Sequence, residues 1–193
     1  MTTVFFIRHA QSDRFVMDDR TRPLTDEGMN DTKKITEALI NSKITHIISS
    51  PYTRTIQTVT DLSEKLGIGI ETDEDFRERN AGKWHGENFI EFIKSQWSDF
   101  NYHILDGECL ADVQKRNIKA LKNTLNKYKN ETIAIATHGT ALSTIINYYN
   151  TDFNFESFMR IIDYMPYIVK MIFDDDFNCL SFEEILIIEK KYK

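Results

Sequence analysis

The sequence predicts an α/β domain with a largely parallel sheet, and two observations carry that prediction. Short runs of β-branched and other apolar residues alternate along the chain with longer segments whose apolar residues recur every three or four positions. The runs are unbroken rather than alternating in polarity, as expected of strands that helices cover on both faces. The chain has 193 residues, 7 glycines and 3 prolines, without a repeat or linker-like stretch. We therefore expect one domain over residues 1–193.

The elements follow from these patterns and from their capping residues. Thr25 is a good N-cap, Ser50 is predicted to cap a helix with Pro51 as its first residue, and Gly67 is predicted to end that helix. Strands are predicted over residues 4–7, 44–48, 68–71, 132–136, 167–173 and 184–189. Helices are predicted over residues 25–41, 51–66, 87–99, 108–129, 139–149 and 155–163.

Composition excludes several classes of function. The net charge is −6 without a basic run, which argues against broad binding of nucleic acid or of an anionic membrane surface. No apolar run is long enough to span a bilayer, and the N-terminal residues lack the features of a signal peptide. Cys109 and Cys179 lie far apart and show no metal-ligand spacing. We expect a cytoplasmic protein with reduced thiols.

Three predicted strands end in polar residues that suit one common site. The first strand leads into Arg8 and His9, the second into a helix whose first turn holds Arg54, and the fourth into His138 and Gly139. The carboxyl ends of parallel strands meet at one edge of a sheet, where ligands bind. Two guanidiniums, two imidazoles and two helix N-termini at one edge all favour an anion. The residues therefore predict a pocket for a phosphoryl group.

His9 can do more in such a pocket than bind. Imidazole has a reference pKa of about 6.5, and neighbouring arginines lower that pKa, so the ring keeps its lone pair near neutral pH. A neutral imidazole can attack phosphorus and hold the phosphoryl group, while the cations balance charge in the transition state. A single histidine at a strand end more often caps or packs. Because Arg8, Arg54 and His138 occur in matching positions after strands, we interpret His9 as a nucleophile.

The leaving oxygen needs a proton donor, and residues 73–86 carry several acids. Glu78 is the preferred candidate because it lies between two arginines, close to small and aromatic residues. Arg20, Arg22 and Arg79 are candidates for contacts with the non-reacting end of the substrate, and hydrated surface charges are the alternative. The rival acids for the role of Glu78 are Asp73, Glu74 and Asp75.

The order of these motifs resembles the histidine phosphatase superfamily, also called the phosphoglycerate mutase-like family. The resemblance implies His9 as nucleophile, Glu78 as proton donor, and Arg8, Arg54 and His138 as the phosphate pocket, with no metal. It also implies a three-layer α/β/α sandwich with a mixed, mostly parallel sheet. It covers residues 2–145 and rests on Arg8-His9-Ala10, Pro23-Leu24-Thr25-Asp26-Glu27-Gly28, Ser50-Pro51-Tyr52-Thr53-Arg54-Thr55-Ile56-Gln57-Thr58, Glu78 through Gly86, Gly107-Glu108-Cys109 and His138-Gly139.

The chain departs from the family pattern at a few positions. Ala10 replaces a glycine, and its methyl group fits only if the backbone avoids positive φ. Residues 14–16 replace the Trp-Asn that often follows the first motif in the mutases, Cys109 replaces a serine, and His85 replaces a glutamate. The role of His85 stays open. These differences leave the core chemistry intact and concern the identity of the substrate.

We therefore expect a metal-independent phosphatase without a cofactor, which hydrolyses a small phosphomonoester through a phosphohistidine on His9. The chain lacks the insertion that helps glycolytic mutases to cover their substrate, and a site open to water favours hydrolysis. A phosphoglycerate mutase is the first alternative. A non-catalytic module that binds a phosphorylated metabolite is the second, although it gives no reason for His9 and Glu78 together. The expected partner is a small phosphorylated metabolite, and the sequence leaves both a monomer and a homodimer open.

Overall fold

A computed structural model describes residues 1–83 and 88–190 of the chain and places a mixed sheet at its centre. Its strands are β1 (Thr2–Arg8), β2 (His46–Ser49), β3 (Ile70–Thr72), β4 (Thr132–Thr137), β5 (Tyr164–Phe173) and β6 (Cys179–Glu189). The spatial order is β3-β2-β4-β1-β5-β6. The first four strands in sequence are mutually parallel, whereas β5 runs antiparallel to β1, and β6 antiparallel to β5. The mostly parallel mixed sheet is confirmed.

Helices cover both faces of this sheet. They are α1 (Asp26–Leu39), α2 (Thr53–Leu66), α3 (Phe89–Ser98), α4 (Leu110–Lys127), α5 (Gly139–Tyr149) and α6 (Phe155–Ile161). Along β1, Val4 and Phe6 belong to the core that α3 to α6 cover, and Phe5 and Ile7 to the core under α1 and α2. Successive strand residues point to opposite faces, so an unbroken apolar run fills both cores at once. The three-layer α/β/α sandwich is thereby confirmed.

The two antiparallel strands, β5 and β6, begin several residues earlier than predicted. The strand predicted over residues 167–173 begins at Tyr164, and the one predicted over residues 184–189 begins at Cys179. The first half of β6 is largely exposed because this strand lies at the edge of the sheet. In this half the exposed Leu180 and Phe182 alternate with Ser181 and Glu183, so a search for unbroken apolar runs finds only the later part of the strand.

The start of α1 holds the loop that follows β1. The N-cap prediction for Thr25 is confirmed, since its side chain accepts a hydrogen bond from the Gly28 amide at 3.0 Å. The Thr25 amide donates to the Gln11 carbonyl at 3.0 Å. A Cβ at residue 28 would lie 2.2 Å from that carbonyl oxygen. Glycine therefore lets α1 press on the backbone two residues after His9, which explains the glycine of this motif.

Other predictions concern residues away from the sheet edge. The Phe and Trp residues predicted as core in α3 do pack inward, since Phe92 is buried and the Trp97 ring packs at a tilt against Phe153 and Phe158. Cys109 is buried and Cys179 partly buried, and both are free thiols. Within the described residues, no helix combines the length and apolarity needed to cross a membrane.

Candidate active site

The carboxyl ends of β1, β2 and β4 meet at one edge of the sheet. Arg8 pairs with Thr137 in the β1–β4 register, and the His9 amide donates to the Thr137 carbonyl at 3.1 Å. On the other side of β4, the Ser50 amide donates to the Ala136 carbonyl at 2.9 Å. The parallel register thus brings three distant segments together.

The imidazole of His9 is oriented by its own main chain. Its side chain is buried, with 7% of the residue surface exposed, and its Nδ1 lies 2.7 Å from the Ala10 carbonyl oxygen. A carbonyl only accepts hydrogen bonds, so Nδ1 carries the proton and Nε2 carries the lone pair. The ring packs edge-on against His138, with 5.3 Å between the ring centroids. In this tautomer, Nε2 is the ring nitrogen of His9 that has a lone pair.

Both histidines are held in the neutral form. Burial lowers the pKa of His9 well below 6.5, and the positive charges of Arg54 and Arg8 lower the pKa further. Burial is also the main reason that the pKa of His138 lies well below 6.5, followed by the positive charge of Arg54. The lowered pKa values keep both rings uncharged at neutral pH, so each ring has one protonated and one unprotonated nitrogen.

The two arginines are fixed by different surroundings. Arg8 donates to the Ile161 carbonyl at 2.7 Å, and its guanidinium passes so close to Gly139 that a Cβ there would lie 3.0 Å from Cζ. Arg54, in the first turn of α2, lies over the Tyr52 ring at 5.0 Å and contacts Asp19. Gly139 therefore makes room for an arginine of the pocket, which is a physical reason for the late His-Gly pair.

Ser50 has a different role from the predicted one. The prediction that it caps α2 is wrong, because the helix begins at Thr53 with Tyr52 as N-cap. Its Oγ lies 2.8 Å from His138 Nε2 instead and also receives the Tyr52 amide at 3.4 Å. The hydroxyl hydrogen is then free to point at Nε2, which leaves the ring proton of His138 on Nδ1. Nδ1 is buried and has no hydrogen-bond partner among the described residues.

Arg22 and Arg79, two of the arginines predicted to contact the non-reacting end of the substrate, differ in position. Arg22 lies 3.2 Å from the Asp19 carboxylate, and its charge contributes to the lowered pKa of His9, so it belongs to the mouth of the pocket. Arg79 is turned away: its guanidinium bonds to the Gln96 side chain and lies 5.0 Å from the Phe92 ring. These contacts support the expected position of Arg22 and favour a packing role for Arg79 over the expected substrate contact.

Comparison with protein families decides the relationship that these features indicate. The family model described as histidine phosphatase superfamily (branch 1) matches residues 4–179. The chain belongs to the histidine phosphatase superfamily.

Known proteins similar to this superfamily member include enzymes of two kinds. A probable phosphoglycerate mutase GpmB of Yersinia pestis is 26% identical over 159 residues, which are 76% of this chain and 74% of that protein. Phosphoserine phosphatase of Entamoeba histolytica, solved with 3-phosphoglyceric acid, superposes with a TM-score of 0.75 at 21% identity and covers 94% of this chain and 96% of its own. Mycobacterial glucosyl-3-phosphoglycerate phosphatase superposes equally well, at 0.75 and 16% identity, over 97% and 99% of the two chains. The two solved structures establish a shared fold.

The carboxylate of Glu78 is held by the first turn of α5. Its Oε2 accepts from the Thr140 amide at 3.1 Å, and its Oε1 accepts from the amides of Ala141 at 3.1 Å and Arg79 at 2.8 Å. The N-terminus of α5, which was expected to favour an anion, thus holds the carboxylate of Glu78 with these two amides.

Arg116 organises the loop that carries Glu78, and sequence reasoning missed it. Its Nη1 donates to the carbonyls of Asp75 and Arg77 at 2.9 and 2.8 Å, and its Nη2 donates to the Glu78 carbonyl at 3.0 Å. Its Nε and Nη2 also bind both oxygens of Glu108 in a fork. In the sequence, Arg116 is one more polar residue on a polar helix. Only the fold shows that it faces three main-chain carbonyls of this loop.

The rival acids for the role of Glu78 have other partners. Glu74 forms a double hydrogen bond with Arg20, both at 2.8 Å. Asp73 caps a 3-10 turn over Glu74–Phe76, and Asp75 pairs with Arg77 at 3.7 Å. Their contacts favour Glu78 as the acid of this site.

The family departures are accommodated where the structure describes them. Ala10 is buried, does not have positive φ, and donates its amide to Thr58 Oγ1 at 3.0 Å. The condition set for its methyl group is thus met. Cys109 is the N-cap of α4 without a side-chain capping bond, and its thiol contacts Asp112. His85 and the rest of residues 84–87 lie outside the described residues.

Proposed function

We propose that this superfamily member is a metal-independent phosphatase that hydrolyses a small phosphomonoester through a phosphohistidine on His9. The observation that carries the proposal is the hydrogen bond from His9 Nδ1 to the Ala10 carbonyl, which reserves Nε2 for attack in a pocket of buried cations. Charge on the phosphoryl oxygens would be balanced by Arg8 and Arg54, with His138 as a further donor. The two similar solved structures named as phosphatases support the same class of reaction.

Two displacements at phosphorus complete the proposed cycle. In the first, His9 Nε2 forms a bond to phosphorus as the bond to the ester oxygen breaks, and Glu78 supplies the proton to the leaving alcohol. In the second, water attacks phosphorus and returns a proton to Glu78 as the phosphorus–nitrogen bond breaks. Inorganic phosphate leaves, and His9 regains its lone pair. A positioned acid of this kind contributes about 10²–10⁴-fold to the rate.

Turnover of a generic aryl phosphate in the presence of a chelator tests this function. We expect the wild-type protein to release phosphate with or without chelator. We expect His9→Ala to lose at least about 10³-fold in rate while still binding inorganic phosphate, because the arginines remain. His103→Ala, the same change at an exposed histidine, is the matched control and should keep full activity. A near-full rate for His9→Ala contradicts the assignment of His9 as the nucleophile. Loss of turnover on adding chelator contradicts a reaction without metal.

Phosphoglycerate mutase activity is the second candidate, which the similarity to GpmB of Yersinia pestis favours. A mutase must return the phosphoryl group to the substrate before water intercepts it. Incubation with 3-phosphoglycerate separates the two activities. Free phosphate supports the phosphatase, and an isomerised phosphoglycerate supports the mutase. Absence of turnover with every substrate, together with tight phosphate binding, would favour a binding module.

A further inference from the structure

The arginines of the pocket already hold an anion, which is the side chain of Asp19. Its Oδ1 lies 3.1 Å from Arg54 Nη2 and 3.2 Å from Arg22 Nη1, so that one carboxylate oxygen bridges two guanidiniums. The main-chain carbonyl of Asp19 also accepts a hydrogen bond from Arg54 Nη1. Asp19 thus covers the edge formed by both terminal nitrogens of Arg54, an edge that phosphate can bind in bidentate fashion.

The carboxylate is the movable member of this cluster. The side chain of Asp19 is 45% exposed, whereas that of Arg54 is 3% exposed and stacks on Tyr52. The adjacent main chain is anchored, since the Arg20 carbonyl accepts from the Thr53 amide at 3.0 Å and the Arg20 side chain binds Glu74. Rotation of one exposed side chain is therefore enough to free Nη2 of Arg54, while Nη1 stays on the main-chain carbonyl of Asp19.

We propose that Asp19 is an internal anion that competes with phosphate for Arg54 and Arg22 and thereby promotes release of the product. When the pocket holds no phosphate, the carboxylate neutralises the two guanidiniums. When phosphate binds, the carboxylate is displaced but stays nearby, where its negative charge repels the dianion. This inference rests on the proposed function. It assigns Asp19 to control of affinity through the arginines, without contact to the reacting atoms.

The substitution Asp19→Asn isolates the charge. Asparagine keeps the main-chain carbonyl on Arg54 and a side-chain oxygen that can still accept from both arginines. We expect the dissociation constant of inorganic phosphate, measured by titration calorimetry, to fall roughly tenfold, because a partly exposed unit charge beside the site is removed. With an aryl phosphate we expect KM to fall as well, without a rise in kcat. A loss of guanidinium positioning would instead raise KM and weaken phosphate binding.

Two further variants make the result decisive. Asp18→Asn removes the same charge from the neighbouring residue, whose carboxylate bonds to Thr21 and does not contact Arg54, so phosphate affinity should change less than twofold. Asp19→Ser removes the charge and shortens the side chain, and it should act in the direction of Asp19→Asn. Unchanged or weaker phosphate binding by Asp19→Asn overturns the proposal. Equal tightening by Asp18→Asn also overturns it.

The binding measurement separates this inference from the proposed function. Tighter phosphate binding by Asp19→Asn, in a protein that turns over no substrate, supports the role of Asp19 and contradicts the phosphatase. If the wild type turns over aryl phosphate and Asp19→Asn leaves phosphate binding unchanged, the phosphatase is supported and the role of Asp19 is contradicted. Absence of phosphate binding by both proteins contradicts the pocket itself and with it both proposals.

Discussion

At the scale of single residues, short polar contacts decide which atoms of the site are chemically available. The Ala10 carbonyl assigns the proton of His9 to Nδ1, and the Ser50 hydroxyl faces Nε2 of His138. The two rings thereby differ, since His9 keeps an unbonded lone pair on Nε2 and His138 keeps its proton on Nδ1. A neutral imidazole beside a neutral donor suits attack on a phosphoryl group, because the donor meets charge that develops on oxygen.

The Ser50 contact leads to a prediction about His138. Ser50→Ala removes the group that selects the tautomer of His138 and leaves a buried ring nitrogen without its partner. Since such a loss costs about 1–3 kcal/mol, we expect kcat/KM for an aryl phosphate to fall roughly 10- to 100-fold. The measurement is the pH profile of kcat/KM, in which the acidic limb should move as the environment of His138 changes.

Ser49→Ala is the matched control for that experiment. Ser49 is equally buried, but its hydroxyl donates to the Ser50 carbonyl at 2.7 Å, which Thr55 also serves at 2.9 Å. It should keep kcat/KM within about twofold, because a second donor remains for that carbonyl. If Ser50→Ala behaves like Ser49→Ala, the hydroxyl does not control His138.

At the scale of elements, the loop between β3 and α3 depends on a side chain from α4. Arg116 donates to three carbonyls of this loop, and Glu108, at the start of the same helical region, accepts from the Asn80 amide at 2.9 Å and from Arg77. Residues 77–83, which the structure describes, form neither helix nor strand, so these bonds replace the ladder that a strand would provide. Placement of Glu78 against α5 follows from this support.

Arg116→Lys tests that support. Lysine keeps the charge but cannot bind a carboxylate and several carbonyls in one plane, so part of the loop loses its donors. We expect kcat to fall roughly 10- to 100-fold, because Glu78 is then held less accurately. The free energy of unfolding should fall by about 1–3 kcal/mol, because loop carbonyls lose their donors. Steady-state kinetics and urea unfolding measure the two effects.

Arg160→Lys is the comparable change outside the site. Arg160 forms a similar pair with Glu184, at 2.8 Å, but it lies on α6 and is about half exposed. We expect a loss of at most about 1 kcal/mol in stability and unchanged kcat, since exposed pairs contribute little. An Arg116→Lys protein that loses stability without losing kcat would show that the loop has no part in placing Glu78.

At the scale of the whole molecule, the buried site makes folding depend on pH. The pKa values of His9 and His138 lie well below 6.5 in the folded chain, mainly because both rings are buried. The unfolded chain therefore binds more protons than the folded chain once the pH falls below about 6.5. The free energy of unfolding is expected to decrease as the pH falls from 6.5. Its slope should approach the value for two additional protons bound by the unfolded chain, about 2.7 kcal/mol per pH unit.

Urea unfolding between pH 7.5 and 5.0 measures this dependence. Lowered pKa values of carboxylates such as Glu108 and Glu184 act in the same direction, but their effect begins only near pH 4.5. His9→Ala should reduce the slope between pH 6.5 and 5.0 by up to one proton, and His103→Ala should leave it unchanged. An identical slope for the wild type and His9→Ala would show that His9 does not stay neutral in the folded state.

The sequence by itself determined the layers of the fold and the grouping of the main site residues. Unbroken apolar runs require burial on both faces, and parallel strands then bring the residues after β1, β2 and β4 to one edge. This logic places Arg8, His9, Arg54 and His138 together without reference to coordinates. The exposed half of β6 escaped it, because Leu180 and Phe182 alternate there with polar residues and form no unbroken apolar run.

Only the tertiary structure decided the contacts that give each residue its role. Ser50 meets a histidine 88 residues away, and Arg116 supports a loop about 38 residues before it. Asp19 binds the guanidinium of Arg54, which lies 35 residues later in the sequence. Such pairs depend on strand register and helix placement, which are set by packing of the whole core rather than by local preference. Hydrogen bonds act over about 3 Å, so their partners become known only once that packing is known.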